Sequence, residues 1–233
     1  MSIIKYLQLP FQFDTALLQG DVRHLASRPW GLHYQKLHYE GEWSGIPLRS
    51  IEGKADNLYI SCVENPEYRD TVFLEECPYL QKVLHTFQCP LLAVRLLRLN
   101  AGAVIKEHRD LELNFEKGEI RLHVPIITHD DVEFYLDNER VHLKEGECWY
   151  FNFNLPHSII NNSSIDRIHL VIDATVNDWV KDIFSDKAIS IKKEIDDPAN
   201  YIDPAIKKQM ILRFREMNTE TGNRLADELE NGS

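Results

Sequence analysis

At 233 residues, 43% hydrophobic and 27% charged, the chain can bury one sizeable core and has the make-up of an ordinary soluble globular protein. Its net charge of -11, with Lys and Arg outnumbered and dispersed, argues against a nucleic-acid partner, because phosphate binding needs a basic surface. No apolar run approaches membrane-spanning length, and the four cysteines lack a close CxxC pair, so neither a zinc site nor a disulfide framework is signalled.

The opening segment, M-S-I-I-K-Y-L-Q-L-P-F-Q-F-D, has neither the apolar core nor the cleavage site of a secretory signal, so a cytoplasmic protein with reduced thiols is expected. Residues 1–90 read as a mixed α/β elaboration. Helical stretches at Thr15 to Ser27 and Tyr79 to Phe87 alternate with strand-like runs such as E-W-S-G-I-P-L-R-S, punctuated by Pro and Gly. Between 91 and 175 the pattern changes to eight short apolar or alternating runs separated by turn signals. They are A-V-R-L-L-R-L, A-V-I-K-E-H, I-R-L-H-V-P-I, V-E-F-Y-L, R-V-H-L, C-W-Y-F-N, H-S-I-I and R-I-H-L-V-I-D. Eight antiparallel strands at this spacing predict a mainly β, cupin-like jelly roll, or double-stranded β-helix, with flanking N- and C-terminal helices.

Residues 176–233 return to helical patterning. Ile206, Met210, Phe214 and Met217 recur at helical spacing after Asp203-Pro204, which reads as an N-cap followed by a first-turn proline. That stripe suits packing or a homodimer surface rather than chemistry.

The stretch E-H-R-D-L-E-L-N raises two incompatible readings. His108-Arg109-Asp110-Leu111 with a downstream Asn114 has the look of a protein-kinase catalytic loop. A kinase also needs a Gly-rich phosphate loop, a V-A-I-K lysine and a D-F-G motif; none is present, and Asn114 stands one residue too close to Asp110. The other reading is His-x-Asp as part of a metal site. With ten histidines such a pair is expected by chance, and His129-Asp130-Asp131 is a second copy. That copy falls in a short turn between two strands, where polar residues belong for turn reasons alone.

His108 and Asp110 end the second expected strand and His157 opens the seventh, two strands that can lie side by side in a jelly roll. Two histidines and a carboxylate suit a non-haem Fe(II) site, and hydrogen-bonded polar residues at strand ends remain the alternative. Ten residues beyond His157, Arg167 shares a strand face with His169, Val171 and Asp173; Arg121 and His123 share another. Inward arginines near a metal suit carboxylates, which a planar guanidinium holds by two parallel hydrogen bonds, against the alternative of exposed or ion-paired arginines. Trp149, Tyr150 and Phe151 read as core packing. Trp30, Trp43 and Arg95, with the loop from Leu111 to Glu119, are the weaker candidates for a pocket wall.

Together, H-R-D, F-E-K-G-E-I-R-L-H-V-P-I, D-V-E-F-Y-L, G-E-C-W-Y-F-N-F-N-L-P-H and D-R-I-H-L-V-I-D resemble the bacterial aspartyl/asparaginyl β-hydroxylase family of 2-oxoglutarate-dependent oxygenases, from about Val94 to Trp179. Upstream, E-W-S-G-I-P-L-R is similar to an early segment of the related bacterial free-proline hydroxylases. The resemblance implies a single oxygenase domain over 1–233. Iron would be held by His108, Asp110 and His157, and the far carboxylate of 2-oxoglutarate by Arg167. His123 would lie near the co-substrate, and Arg121 would be directed at co-substrate or substrate carboxylate. It further implies Fe(II), 2-oxoglutarate and O2 as cofactors, and hydroxylation of an amino-acid or peptide substrate, with Asp or Asn the first expectation. Free proline is the second expectation, and a non-catalytic cupin-like binding protein the third. Animal members lack an acidic ligand at the position of Asp110, so this chain sits with the bacterial ones.

Overall fold

The eight alternating runs fold as eight strands. The computed structural model describes residues 2–59, 66–110, 113–186, 188–196, 204–217 and 219–231. In chain order, β1 (Ser2–Gln12), α1 (Thr15–His24), β2 (Gly31–Leu32), β3 (Tyr39–Glu40) and β4 (Trp43–Ile51) come first. Next are β5 (Tyr68–Asp70), α2 (Val72–Glu75) and α3 (Pro78–His85). The core strands are β6 (Leu91–Leu99), β7 (Val104–His108), β8 (Glu119–Ile127), β9 (Val132–Leu136), β10 (Glu139–Val141), β11 (Glu147–Phe151), β12 (His157–Asn161) and β13 (Arg167–Thr175). Then α4 (Asp178–Ser185), β14 (Lys192–Asp196), α5 (Pro204–Glu216) and α6 (Glu220–Asn231) follow.

The core strands divide four and four between two antiparallel sheets. The larger sheet contains β11-β8-β13-β6 in that order, and the smaller contains β10-β9-β12-β7. This is the jelly-roll arrangement expected from the sequence. The N-terminal part adds to both sheets: β1 flanks β11, β4 and β2 extend the larger sheet beyond β6, and β3 borders β7. Pro10 is accommodated in β1 because the register with β11 shifts between Leu9 and Gln12, where a missing N–H costs little.

The alternation of β8 and β13 decides where the dry core sits. Ile120, Leu122, Val124 and Ile126 of β8, with Ile168, Leu170, Ile172 and Ala174 of β13, join one hydrophobic cluster. Leu18 and Val22 of α1, Leu80, Val83 and Leu84 of α3, and Val180 and Phe184 of α4 complete it. The cluster therefore lies between the larger sheet and the helices. Asp14 caps α1 by accepting the Leu17 N–H, and Asn177 caps α4 by accepting that of Val180. Buried Asp21 of α1 accepts the Tyr79 and Leu80 N–H groups at 2.9 and 2.8 Å, fixing the start of α3.

The chain divides into two compact units, Ile4–Glu194 and Met1–Ile3 with Ile195–Ser233. In the second, Arg215 of α5 pairs with Asp227 and Glu230 of α6. Met210 and Phe214 are half-buried and Met217 is exposed, while Asp203 and the side chain of Ile206 lie outside the described residues. Cys77, Cys89 and Cys148 are free thiols, and Cys62 lies outside the described residues. Among the described residues no helix is long and apolar enough to cross a membrane.

Candidate metal centre and its pockets

The opposite face of the larger sheet, turned into the barrel, mixes apolar Leu97, Leu99 and Val171 with a polar set. Arg167, His169 and Asp173 of β13, Arg121 and His123 of β8, and Arg95 of β6 occupy the positions between those that enter the dry core, and all are buried. Six polar or charged side chains on one buried face demand partners, because an unpaired buried polar group is costly.

Between the sheets, His157 of β12 stands directly opposite His108 of β7 in register, with ring centres 4.2 Å apart. Asp110 follows β7, held by a hydrogen bond from its N–H to the Phe153 carbonyl at 2.9 Å. The ligand atoms of His108, Asp110 and His157 lie within 4.8 Å of one another, and among the described residues they form the one such group of three. The Nδ1–H groups of both histidines donate to backbone carbonyls, of Lys106 at 2.8 Å and Leu155 at 3.0 Å. A carbonyl can only accept, so Nδ1 is the donor in each ring and Nε2 is left as its candidate metal-ligand atom. Burial, aided by the charge of His108, brings the His157 pKa down to about 4, which keeps the ring neutral. Burial works against the charge of Asp110, but Arg121 and the two histidines hold its carboxyl below the usual range.

At one end of the barrel Arg167 is buried with Nη2 donating to His169 Nδ1 at 2.9 Å. Burial alone pulls its pKa down to about 9, and no acidic side chain among the described residues pairs with it. The Nε2 atoms of His169 and His123 are buried without a partner. Burial and the charge of Arg167 push both of these rings well below the ordinary histidine range. An unpaired guanidinium beside unsatisfied imidazole nitrogens is a cradle for an anion.

Arg121 lies six residues of β13 away, paired in register with Asp173, or about 20 Å along the strand. It is committed to acids of the protein itself: Nε and Nη2 donate to Asp173 at 2.6 and 3.2 Å, and Nη1 to Asp110 at 2.5 Å. Asp173 also accepts from Arg95 at 2.5 Å, while Arg95 Nε is buried without a partner.

Here a cavity of about 670 Å³ opens beside Asp110, lined by His33, Tyr34, Gln35 and Trp43 from the N-terminal part and by Arg95. His33 stacks on Trp43 with ring centres 3.5 Å apart. Burial, then the charges of Arg95 and Arg121, lower the His33 pKa to about 3. Leu113, Lys117 and Glu119 supply the loop side of the wall. Trp30 lies instead beneath the Arg98 guanidinium, 4.6 Å from the ring centre. Arg109 also lines this cavity and donates to the Asn154 carbonyl, and His129 is half exposed beside Asp131 in its turn. Leu111 and Glu112 lie outside the described residues.

Residues 21–176 match the family described as aspartyl/asparaginyl beta-hydroxylase. The chain belongs to that family. Among curated relatives, L-proline cis-3-hydroxylase 2 from Streptomyces sp is 25% identical over 76% of this chain and 63% of its own length. L-proline cis-4-hydroxylase from Rhizobium meliloti (strain 1021) is 28% identical over 70% of this chain and 58% of its own. The chain thus spans about three fifths of the length of the curated relatives it matches. Among solved structures, an oxidoreductase of the 2OG-Fe(II) oxygenase family from Burkholderia pseudomallei superposes with a TM-score of 0.52 at 14% identity, covering 74% of this chain and 86% of that one. It shares the fold.

The donor chemistry fits Fe(II) and 2-oxoglutarate, the cofactors expected from the sequence. Two imidazoles and one carboxylate are the donor set of a non-haem Fe(II) site with open positions. The unpaired Arg167 and the orphaned His169 nitrogen fit the far carboxylate of 2-oxoglutarate.

His33, His169 and Asp173 had not been given a role by sequence reasoning. His169 and Asp173 carried a signal, since they share a strand face with Arg167. His33 carried none.

Proposed function

We propose that this β-hydroxylase family member is an Fe(II)- and 2-oxoglutarate-dependent dioxygenase that hydroxylates a free amino acid of the proline type. The carrying observation is the order of groups inside the barrel: an unpaired buried guanidinium at one end, three metal donors, then a separate pocket lined by a second buried guanidinium. When bound, Fe(II) with 2-oxoglutarate and O2 supplies oxidative decarboxylation to succinate and CO2, coupled to insertion of one oxygen atom into a C–H bond.

The protein's part is binding and orientation. His108, Asp110 and His157 hold the metal. Arg167 takes the far co-substrate carboxylate, with His169 fixing its guanidinium and His123 beside it. In the outer pocket Arg95, which lines the cavity, receives the substrate carboxylate, and the stacked pair of His33 and Trp43 gives a flat apolar wall for a small ring. A neutral His33 adds no competing charge.

The pocket favours proline over Asp or Asn, which the family description brings first to mind. Arg121 is already engaged by Asp110 and Asp173, which leaves Arg95 as the one buried guanidinium of the pocket with a nitrogen that has no partner. That suits a substrate with one carboxylate. The curated relatives act on L-proline by name, in agreement.

The test is to incubate purified protein with Fe(II), ascorbate and 2-oxoglutarate and a panel of L-proline, L-pipecolate, L-Asp, L-Asn and peptides containing them. Succinate and a product heavier by one oxygen are then measured. Turnover of the cyclic amino acids supports the proposal, and an Asp or Asn product overturns the substrate assignment. Absence of succinate release with every member of the panel favours a non-catalytic binding protein.

A further inference from the structure

Four charged side chains form an unbroken ladder from the outer pocket to the metal ligand. Arg95 Nη2 donates to Asp173 Oδ2 at 2.5 Å, and Asp173 is gripped by Arg121 through both Nε, at 2.6 Å, and Nη2, at 3.2 Å. Arg121 Nη1 then donates to Asp110 Oδ2 at 2.5 Å. The signs alternate along the ladder, and Arg95 and Asp173 are each 3% exposed at the side chain. The arrangement is fixed by the sheet, because Asp173 and Arg121 are direct register partners on neighbouring strands.

The two oxygens of Asp110 thereby have different neighbours. Oδ1 lies 3.7 Å from His108 Nε2, on the side of the histidine donors, whereas Oδ2 is held by Arg121. A carboxylate on a loop after a strand end is otherwise free to rotate and to offer either oxygen, or both. The side-on, two-point grip of Asp173 on Arg121 orients the plane of the guanidinium and hence the oxygen it takes.

We infer that Arg121 and Asp173 are positioning residues for the metal: Arg121 holds the outer oxygen of Asp110 so that the inner one faces the two histidines, and Asp173 holds Arg121 in place. The inference rests on the proposed metal-binding role of the His108, Asp110 and His157 group.

The experiment measures Co(II) binding to metal-free protein by calorimetry, with no turnover required. Asp173→Asn keeps the size of the side chain and removes its charge, and Arg121→Lys keeps the charge and loses the planar fork. Both should weaken Co(II) about 10- to 100-fold, the usual effect of removing a group that orients a ligand, with circular dichroism unchanged. Because losing one buried charge strands its partner, the charge-balanced double variant Arg95→Met with Asp173→Asn is measured alongside. It should show the same weakening. The visible band of bound Co(II) should also change shape in Arg121→Lys, which a purely structural role would leave alone. Folded variants with wild-type Co(II) affinity and spectrum overturn the positioning role. A wild-type protein that takes up no Co(II) overturns the metal reading on which it rests.

Discussion

Arg167→Met should make the ligand-free protein more stable while removing its response to 2-oxoglutarate. Arg167 is 3% exposed and its one recorded partner is the neutral His169 ring. Burial brings its pKa from an ordinary 12.5 down to about 9, equivalent to roughly 5 kcal/mol for keeping the guanidinium charged inside the fold. The folded group binds its proton less tightly than the unfolded one, so this cost is present in full at neutral pH. It is relieved only as the pH rises past about 9. Methionine fills much of the space but leaves His169 Nδ1 without its donor, a loss of about 1 kcal/mol. Allowing for imperfect repacking, the net gain is about 2–4 kcal/mol, or roughly 5–15 °C in Tm for a chain of this size. Thermal unfolding followed by fluorescence, with and without Mn(II) and 2-oxoglutarate, reads both effects. The wild type should gain about 2.7 kcal/mol when 2-oxoglutarate reaches a hundredfold its Kd, and the variant nothing. An Arg167→Met protein that is less stable than wild type without ligand refutes the reasoning, since Arg167 would then be satisfied by the fold itself.

His108→Ala and Asp110→Ala should each abolish tight Co(II) binding with the fold intact, whereas His129→Ala, in its exposed turn, should leave it unchanged; calorimetry decides, and the reverse pattern would reassign the ligands. Acid should destabilise the protein steeply. His33, His123, His157 and His169 are neutral in the fold, with pKa values of about 3 and 4 for His33 and His157 and well below 6.5 for the other two. The unfolded chain takes protons that the folded one refuses, so stability falls with pH between about 6.5 and 4 by up to about 1.4 kcal/mol per pH unit for each histidine. His33→Gln should reduce that slope by one such increment in urea titrations, and an unchanged slope would show that His33 does not stay neutral. Gly45→Ala places a Cβ 2.8 Å from both the Leu96 carbonyl oxygen and Leu97 Cδ2. Unfolding in urea should show a loss of about 1–3 kcal/mol.

The core strands were legible because each is a short alternating run closed by turn residues, a signal that survives without knowing its partner. β1 has the same alternation, with Leu7, Leu9 and Phe11 against Gln8, Pro10 and Gln12, yet the sequence reading assigns it no strand. Its partner β11 begins at Glu147, and such a register is set by tertiary packing rather than by local pattern. The metal group was legible in part. His-x-Asp at a strand end and a histidine opening a later strand could be seen, but not that His157 would stand opposite His108. Arg121 shows the limit of residue chemistry: a guanidinium calls for carboxylates, but not for whose. Here they belong to the protein itself, from Asp110 and Asp173.

The same alternation also explains how the barrel tolerates so much charge. On β8 and β13 one set of positions enters the hydrophobic cluster beneath α1, α3 and α4, and the other, carrying Arg121, His123, Arg167, His169 and Asp173, enters the barrel. A slip of one residue would exchange the two sets. Because the helices give the larger sheet a dry core on its outer face, the inner face can mix charged groups with buried Leu97, Leu99 and Val171 and offer them to ligands. The N-terminal residues therefore serve the site twice. They supply helix surface that stabilises the fold from outside the barrel, through Leu18, Leu80 and Leu84, and they place His33 and Trp43 at the mouth of the pocket. A jelly roll stripped of them would lose the wall of its pocket together with the cover of its dry core, so activity and stability should be lost as one.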